Sequence, residues 1–147
     1  MIPIKIALLT DSSADLRWEE ARENNIFFVP LRILCQDGEY LDGVDIHGQD
    51  IYRRLRSGEL PQTSLPRVED FSAKLHEIFD LGYDGVIAVM LSSGLSGTYN
   101  LARIVAEECR EQGRAMVAFD SLSGSLGLGM TVLQLAEDIR NGMGWEE

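Results

Sequence analysis

Short apolar runs alternate with helix-patterned segments along this chain, and this alternation constrains the fold more than any other feature. Strand patterns occupy residues 4–9, 26–29, 86–91 and 115–119. Helix patterns follow at residues 12–24, 71–82, 101–113 and 125–141, and a shorter one ends at Gly58. Strands that alternate with helices are joined by crossover connections, which produce parallel pairing. The sequence therefore predicts an α/β fold, with a mainly parallel sheet flanked by helices, in one domain over residues 1–147.

One segment departs from this alternation. Pro30 interrupts the second strand, because proline cannot donate to a sheet ladder. Asp37 and Gly38 form a predicted two-residue hairpin turn. We therefore expect a small hairpin excursion near residues 31–41. Residues 61–66 are framed by two prolines and are predicted to be irregular.

The charge balance excludes several classes of partner. The chain carries 13 Lys and Arg against 24 Asp and Glu, a net charge of −11. This charge argues against a nucleic acid or an anionic membrane surface as partner. No apolar run approaches membrane-spanning length, and the first residues form a strand pattern and not a secretion signal. Cys35 and Cys109 lie in apolar stretches without metal-ligand spacing, which predicts reduced core residues of a cytoplasmic protein.

Three hydroxyl-rich turns follow predicted strands, at residues 10–13, 92–98 and 120–123. The carboxyl ends of parallel strands share one edge of a sheet, where open α/β folds bind ligands. We expect the three turns to meet there, with the Thr63-Ser64 loop reaching the same edge. Ser12 and Ser96 are predicted helix N-caps, with Asp15 completing a capping box behind Ser12.

This edge offers neutral donors and helix N-termini, and none of the three turns contributes a Lys or Arg. Such donors suit a carboxylate or a phosphate. A hydrogen bond to a charged group contributes ~1.5–3 kcal/mol, so a few of them would orient an anion with modest affinity. A capped turn that binds nothing is the simpler interpretation of residues 91–100.

The same residues allow catalytic and metal-binding interpretations. Gly94 to Thr98 nearly matches a nucleophile elbow, but Thr98 stands where the second glycine belongs. His47 lies in a predicted loop and His76 on the polar side of a helix, so neither follows a strand. Asp11 and Asp120 could hold Mg²⁺ or simply fix turns. The sequence lacks a nucleotide-binding phosphate loop, and we predict no metal and no cofactor.

Several stretches together resemble the DegV family of bacterial fatty-acid-binding proteins. They are Thr10-Asp11-Ser12-Ser13-Ala14-Asp15-Leu16, Val29-Pro30-Leu31, Thr63-Ser64, Leu91-Ser92-Ser93-Gly94-Leu95-Ser96-Gly97-Thr98 and Asp120-Ser121. Their order and spacing agree with the family to about Gly142. The resemblance implies the N-terminal domain of a two-domain protein that holds a long-chain fatty acid and presents it to a fatty acid kinase. It also implies that the second domain is absent here.

The resemblance implies that the fatty acid carboxylate is held by Thr63, Ser64, Ser93 and Ser96. With the three turns, the predicted ligand-binding set is Thr10, Asp11, Ser12, Thr63, Ser64, Ser93, Gly94, Ser96, Gly97, Thr98, Asp120 and Ser121. One departure concerns the loop after Thr63-Ser64, where the family usually continues with Gln-Pro-Ser. Here Leu65-Pro66-Arg67 follows, which could alter that loop or bring Arg67 near the carboxylate.

Three functional hypotheses result. The first is a lipid carrier that catalyses no reaction. The second is a Ser-dependent acyl hydrolase or phosphoryl-transfer protein that uses Ser93 or Ser96. The third is a domain that binds no ligand alone, exposes apolar surface on its last helix or near Thr63, and self-associates.

Overall fold

A computed structural model describes residues 5–147 of the chain. In chain order its elements are β1 (Ile6–Asp11), a 3₁₀ turn (Ser12–Ala14), α1 (Trp18–Glu23), β2 (Ile26–Val29), β3 (Arg32–Cys35), β4 (Gly38–Leu41), α2 (Gly48–Arg56), β5 (Gln62–Ser64), α3 (Val68–Asp80), β6 (Gly85–Met90), α4 (Thr98–Glu111), β7 (Ala115–Asp120) and α5 (Ser125–Arg140).

The main sheet has four parallel strands in the order β2-β1-β6-β7. Alternate side chains of these strands enter two separate cores, because successive strand residues point to opposite faces. Leu9 and Met90 pack with α3 and α4 on one face. Leu8 and Val89 pack with α1 and α5 on the other. The expected α/β class, with helices on both faces of a parallel sheet, is confirmed.

A second, antiparallel sheet has the strand order β4-β3-β5. Two predictions in this region were wrong. The hairpin turn consists of Gln36 and Asp37, one residue earlier than expected, because Cys35 pairs with Gly38. The stretch predicted to be irregular contains β5, because its backbone finds a partner in β3, with Thr63 opposite Ile33.

The first predicted helix is interrupted. The 3₁₀ turn is capped by Asp11, whose side chain accepts the N–H of Ser13, and Asp15 then adopts a left-handed conformation with φ of 53°. The predicted capping box of Ser12 and Asp15 is therefore wrong, because Asp15 instead accepts a hydrogen bond from the Ser125 hydroxyl of α5. Residue 4, where the first strand was predicted to begin, lies outside the described residues.

Both cysteines are free thiols, but only one of them belongs to the core. Cys109 is buried within α4, as expected. Cys35 is half-buried at the hairpin turn, so its assignment to the core was wrong. None of the helices within residues 5–147 has both the length and the apolar character needed to cross a membrane.

Candidate functional site

Asp11 joins the carboxyl ends of β1 and β6. Its Oδ2 accepts the N–H of Leu91 at 2.8 Å, and its Oδ1 accepts the N–H of Ser13 at 3.0 Å and also the Ser13 hydroxyl. The Asp11 side chain is fully buried, so these donors replace the water it would otherwise bind. The first two hydroxyl-rich turns are thereby held side by side.

Asp120 joins the carboxyl ends of β6 and β7 in a similar way. Its Oδ1 accepts the N–H of Leu122 at 2.9 Å and that of Ser93 at 3.2 Å. The Ser93 hydroxyl and the Leu122 N–H hold the pKa of Asp120 below its usual range, because both favour the ionised carboxylate. The expectation that the three turns meet at one edge of the sheet is confirmed by these contacts.

A cleft opens between this edge and β5, and we call it the hydroxyl cleft. Its volume is about 490 Å³, within the range of small-molecule sites. Four hydroxyl residues, four leucines and one glycine line it: Ser13, Thr63, Ser64 and Ser96; Leu31, Leu65, Leu91 and Leu95; and Gly97. One cleft thus combines hydroxyl residues with apolar ones.

Ser96 lines this cleft, just before α4. The helix N-cap is Gly97, one residue later than predicted, but the Ser96 Oγ still accepts the N–H of Thr98 at 3.2 Å. The Thr98 hydroxyl is buried and lies 2.8 Å from the same Oγ. When Thr98 donates to Ser96, both acceptor sites of Ser96 are occupied and its own proton is available to a ligand. The first turn of α4 also leaves N–H groups without helical partners.

Thr63 and Ser64 reach the cleft because the small sheet is anchored to α3. Arg32, opposite Ser64 in the strand register, donates from Nη2 to both carboxylate oxygens of Asp70 at 2.9 Å. Leu65 then packs against the start of α4, where a methyl group added at Gly97 would lie 3.3 Å from Leu65 Cδ1. The absence of a side chain at Gly97 therefore lets the β5 loop approach Ser96.

Arg67 and the histidines point away from the hydroxyl cleft. The Arg67 guanidinium donates to Glu39 at 2.9 Å, so it does not supply a cation to the cleft. His47 and His76 are exposed and line two other pockets. Within residues 5–147, the residues that line the cleft include no histidine and no charged side chain.

The predicted site residues fall into three groups. Thr63, Ser64, Ser96 and Gly97 line the hydroxyl cleft, and Ser93 and Gly94 are exposed on the loop that forms its rim. Thr10, Asp11 and Thr98 are fully buried and do not line the cleft. The remaining residues face other surfaces: Ser12, Asp120 and Ser121. Whether these residues contact a ligand stays a prediction.

Ser12 has a structural partner and lies beside a half-buried carboxylate. Its hydroxyl accepts the N–H of Leu31 at 3.0 Å, and it lines a pocket of about 170 Å³ together with Asp42 and His47. Burial raises the pKa of Asp42, because the charged form is poorly solvated there. This pocket lies outside the hydroxyl cleft.

Five residues of the cleft were not predicted: Ser13, Leu31, Leu65, Leu91 and Leu95. Ser13 belongs to the first hydroxyl-rich turn, so its type and position were available signals. The leucines resemble ordinary core residues in the sequence. Their shared role depends on how β5 and the main sheet meet.

Carboxylates that could attract a metal ion already have protein partners. Both oxygens of Asp11 accept backbone N–H groups. Cys35, Asp37 and Glu59 also lie close enough together to bind an ion, but Arg54 donates to both carboxylates, at 2.8 Å from Asp37 and 3.1 Å from Glu59. The guanidinium thus neutralises the charge that would attract a cation.

Comparisons with known proteins agree with this architecture. A family model described as an uncharacterised protein of the DegV family matches residues 5–147. A DegV domain-containing protein of Clostridium perfringens is 38% identical over 97% of this chain and 50% of its own length.

Two solved structures are also similar. One is DegV, a fatty acid binding protein from Bacillus subtilis, with a TM-score of 0.85 and 32% identity over 94% of this chain and 48% of its own. The other, a DegV family protein from Thermus thermophilus whose structure is described for its fatty acid binding, has a TM-score of 0.86 and 33% identity over 97% of this chain and 50% of its own. The chain spans about half the length of these relatives, and it belongs to the DegV family.

Proposed function

We propose that this chain binds a long-chain fatty acid, with the carboxyl group in the hydroxyl cleft, and catalyses no reaction. The observation that carries the proposal is the cleft itself, which is lined by four hydroxyl residues and four leucines. A fatty acid has the same division, since its polar head requires donors and its tail requires apolar contact. The fatty acid binding described for the relatives from Bacillus subtilis and Thermus thermophilus supports the proposal.

Ser96 is the strongest head-group donor in this proposal. Its Oγ is fixed by Thr98, so little rotational freedom is lost when it donates to a ligand. Thr63 of β5 supplies a second hydroxyl. Each methylene that the leucines remove from water contributes ~0.8 kcal/mol, so the tail contributes more to affinity than the head.

The test is binding of palmitic acid to the purified, delipidated chain, measured by calorimetry. Ser96→Ala and Thr63→Val are each expected to weaken binding about 10- to 150-fold, the equivalent of ~1.5–3 kcal/mol per charge-assisted hydrogen bond. Ser72→Ala is the matched control, because it removes the same hydroxyl from α3 outside the cleft. Failure of the unsubstituted chain to bind palmitic acid refutes the proposal.

We propose further that the bound acid is presented to a separate fatty acid kinase, which forms the acyl phosphate. The family resemblance supports this role, and the sequence has no nucleotide-binding phosphate loop of its own. Incubation of the loaded chain with such a kinase and ATP should yield an acyl phosphate, trapped as a hydroxamate. Equal yield from free palmitic acid without the chain contradicts a presenting role.

We also place this carrier in the cytoplasm. The two free cysteines support this location, because oxidising compartments favour disulfides in small proteins. Fractionation of cells that express the tagged chain is expected to recover it with the cytoplasmic proteins. Recovery with exported proteins overturns the assignment.

A second candidate function is acyl hydrolysis by Ser93 or Ser96. The near match of Gly94 to Thr98 to a nucleophile elbow favours this function. The absence of histidine among the described residues that line the cleft opposes it. Release of p-nitrophenol from p-nitrophenyl palmitate, lost in both Ser93→Ala and Ser96→Ala, would favour the hydrolase over the carrier.

A third property concerns the exposed apolar side chains of α5 and of the turn that precedes it. Leu122, Leu126 and Met130 are 79%, 65% and 61% exposed, as the self-association hypothesis requires. We propose that this surface makes the chain associate with itself. Light scattering that finds one chain per particle at all concentrations contradicts this proposal.

A further inference from the structure

A single carboxylate, that of Asp70, fixes both ends of the loop that follows β5. Asp70 Oδ2 accepts the backbone N–H of Arg67 at 2.7 Å, just before α3 begins. Both oxygens of Asp70 also accept hydrogen bonds from Nη2 of Arg32 in β3, each at 2.9 Å. Because Arg32 lies opposite Ser64 in the strand register, the loop from Ser64 to Arg67 is held at each end.

The segment held in this way supplies residues to the hydroxyl cleft. Thr63, Ser64 and Leu65 all line it. β5 has only three residues, and all three are exposed. Burial of apolar surface therefore contributes little to keeping this strand in place. Its position depends on its backbone pairing with β3 and on the contacts at the end of the strand.

The ion pair between Arg32 and Asp70 has the geometry needed to fix a position. The side chains of Arg32 and Asp70 are 14% and 23% exposed, so water and salt screen them less than they screen a surface pair. Arg32 also donates from Nε to Asp70 at 3.1 Å, and this second donor fixes the plane of the guanidinium. Glu39 of β4 accepts a hydrogen bond from Nη1 of the same guanidinium, which orients it further.

We propose that Arg32 and Asp70 are positioning residues of the hydroxyl cleft, whose ion pair holds the Thr63 hydroxyl where it can bind the same carboxylate as Ser96. Neither Arg32 nor Asp70 lines the cleft, so their effect on a ligand passes through β5. A hydroxyl that is already held in place loses less freedom when it binds. The role rests on the proposed function, because it concerns the binding of the same fatty acid.

Calorimetric binding of palmitic acid to the delipidated 147-residue chain measures this role. Arg32→Met removes the guanidinium, and we expect it to weaken binding about tenfold, because the ligand must then order Thr63 itself. Arg54→Met is the matched control, since Arg54 is 22% exposed and also bridges two carboxylates, those of Asp37 and Glu59. None of these three residues lines the cleft, so we expect Arg54→Met to change the affinity by less than about twofold.

A double-mutant cycle separates positioning from a general loss of structure. In the Thr63→Val background, Arg32→Met should weaken binding by less than about threefold, because the hydroxyl that it positions is already gone. In the Ser96→Ala background a loss of about tenfold should remain, because Ser96 precedes α4 and its hydroxyl is fixed by Thr98. A general loss of structure would weaken binding equally in both backgrounds.

Asp70→Asn provides a second variant that removes the same ion pair. Its amide oxygen can still accept the N–H of Arg67, whereas the charge and the second acceptor oxygen are lost. We expect the same loss of affinity, about tenfold. Circular dichroism verifies that Arg32→Met and Asp70→Asn are both folded.

The outcomes separate the positioning role from the proposed function. Failure of the unsubstituted chain to bind palmitic acid overturns both. Binding that neither Arg32→Met nor Asp70→Asn weakens overturns the positioning role and leaves fatty acid binding standing. An effect of Arg32→Met that is equal in the Thr63→Val and Ser96→Ala backgrounds has the same consequence.

Discussion

The two aspartates at the carboxyl edge of the sheet should respond very differently to the same substitution. Asp11 uses both carboxylate oxygens, one for Ser13 and the other for Leu91. Asp120 uses a single oxygen, Oδ1, for both of its backbone donors. An asparagine has one acceptor oxygen and one NH₂ group, so it can reproduce the second arrangement and not the first.

The magnitudes follow from this geometry. Asp11→Asn places an NH₂ group against a buried N–H, which removes a charge-assisted hydrogen bond and leaves a donor unsatisfied. We expect a loss of about 2–4 kcal/mol in the free energy of unfolding, since each effect costs roughly 1–3 kcal/mol. Asp120→Asn can keep its amide oxygen in the Oδ1 position, and we expect it to cost less than about 1 kcal/mol.

Urea unfolding followed by circular dichroism is a suitable assay, because the midpoint reports stability when the slope is unchanged. Thermal unfolding should show the same order, with the midpoint of Asp11→Asn lowered by roughly 5–15 °C. The loop of Ser96 should also loosen in Asp11→Asn, because Leu91 loses its link to β1. Equal losses in the free energy of unfolding for Asp11→Asn and Asp120→Asn, or a loss below about 0.5 kcal/mol for Asp11→Asn, would refute the reasoning from the number of carboxylate oxygens used.

Three further predictions concern burial and close packing. Burial raises the pKa of Asp42, so the stability linked to its neutral form is present below its ordinary pKa of about 3.9 and is lost as pH rises through the raised value. Asp42→Asn should therefore unfold at a higher urea concentration than the unsubstituted chain at pH 7 but not at pH 3. Equal urea midpoints for the two proteins at pH 7 would contradict this. Gly97→Ala displaces Leu65, one of the leucines proposed to contact the tail, and should weaken palmitic acid binding about fivefold; a calorimetric affinity unchanged by Gly97→Ala argues against this contact. Gly129→Ala places a methyl group against the backbone carbonyl of Ala14 and should lower the free energy of unfolding by about 1–3 kcal/mol, although alanine favours helix; a more stable variant in urea disproves the clash.

The alternation of strands and helices was predictable because it depends on local patterns. A buried run such as Gly85–Met90 reads as a strand from its own residues. The meeting of the hydroxyl-rich turns was predictable for a related reason, since parallel strands bring their carboxyl ends to one edge. The fold class and the location of the candidate site were thus accessible from the sequence.

Interactions between distant residues were not accessible in the same way. The sequence of Gln62–Ser64 predicts an irregular segment, but in the structure β3 supplies its backbone hydrogen-bond partners. Asp15 reads as part of a capping box, but Ser125 of α5 is its partner. Arg67 reads as a cation available to a ligand, and Glu39 engages it instead. In each case the competing partner lies far along the chain.

The sequence alone determined the α/β class, the hydroxyl-rich edge and the family resemblance, because local periodicity and residue type are sufficient for these. Only the tertiary structure decided which residues line the cleft. Packing brings Leu65 against Gly97 and gathers four leucines and four hydroxyl residues around one cleft. Thr10, Asp11 and Thr98 are buried by the same packing, so the predicted site residues divide into buried ones and ones that line the cleft.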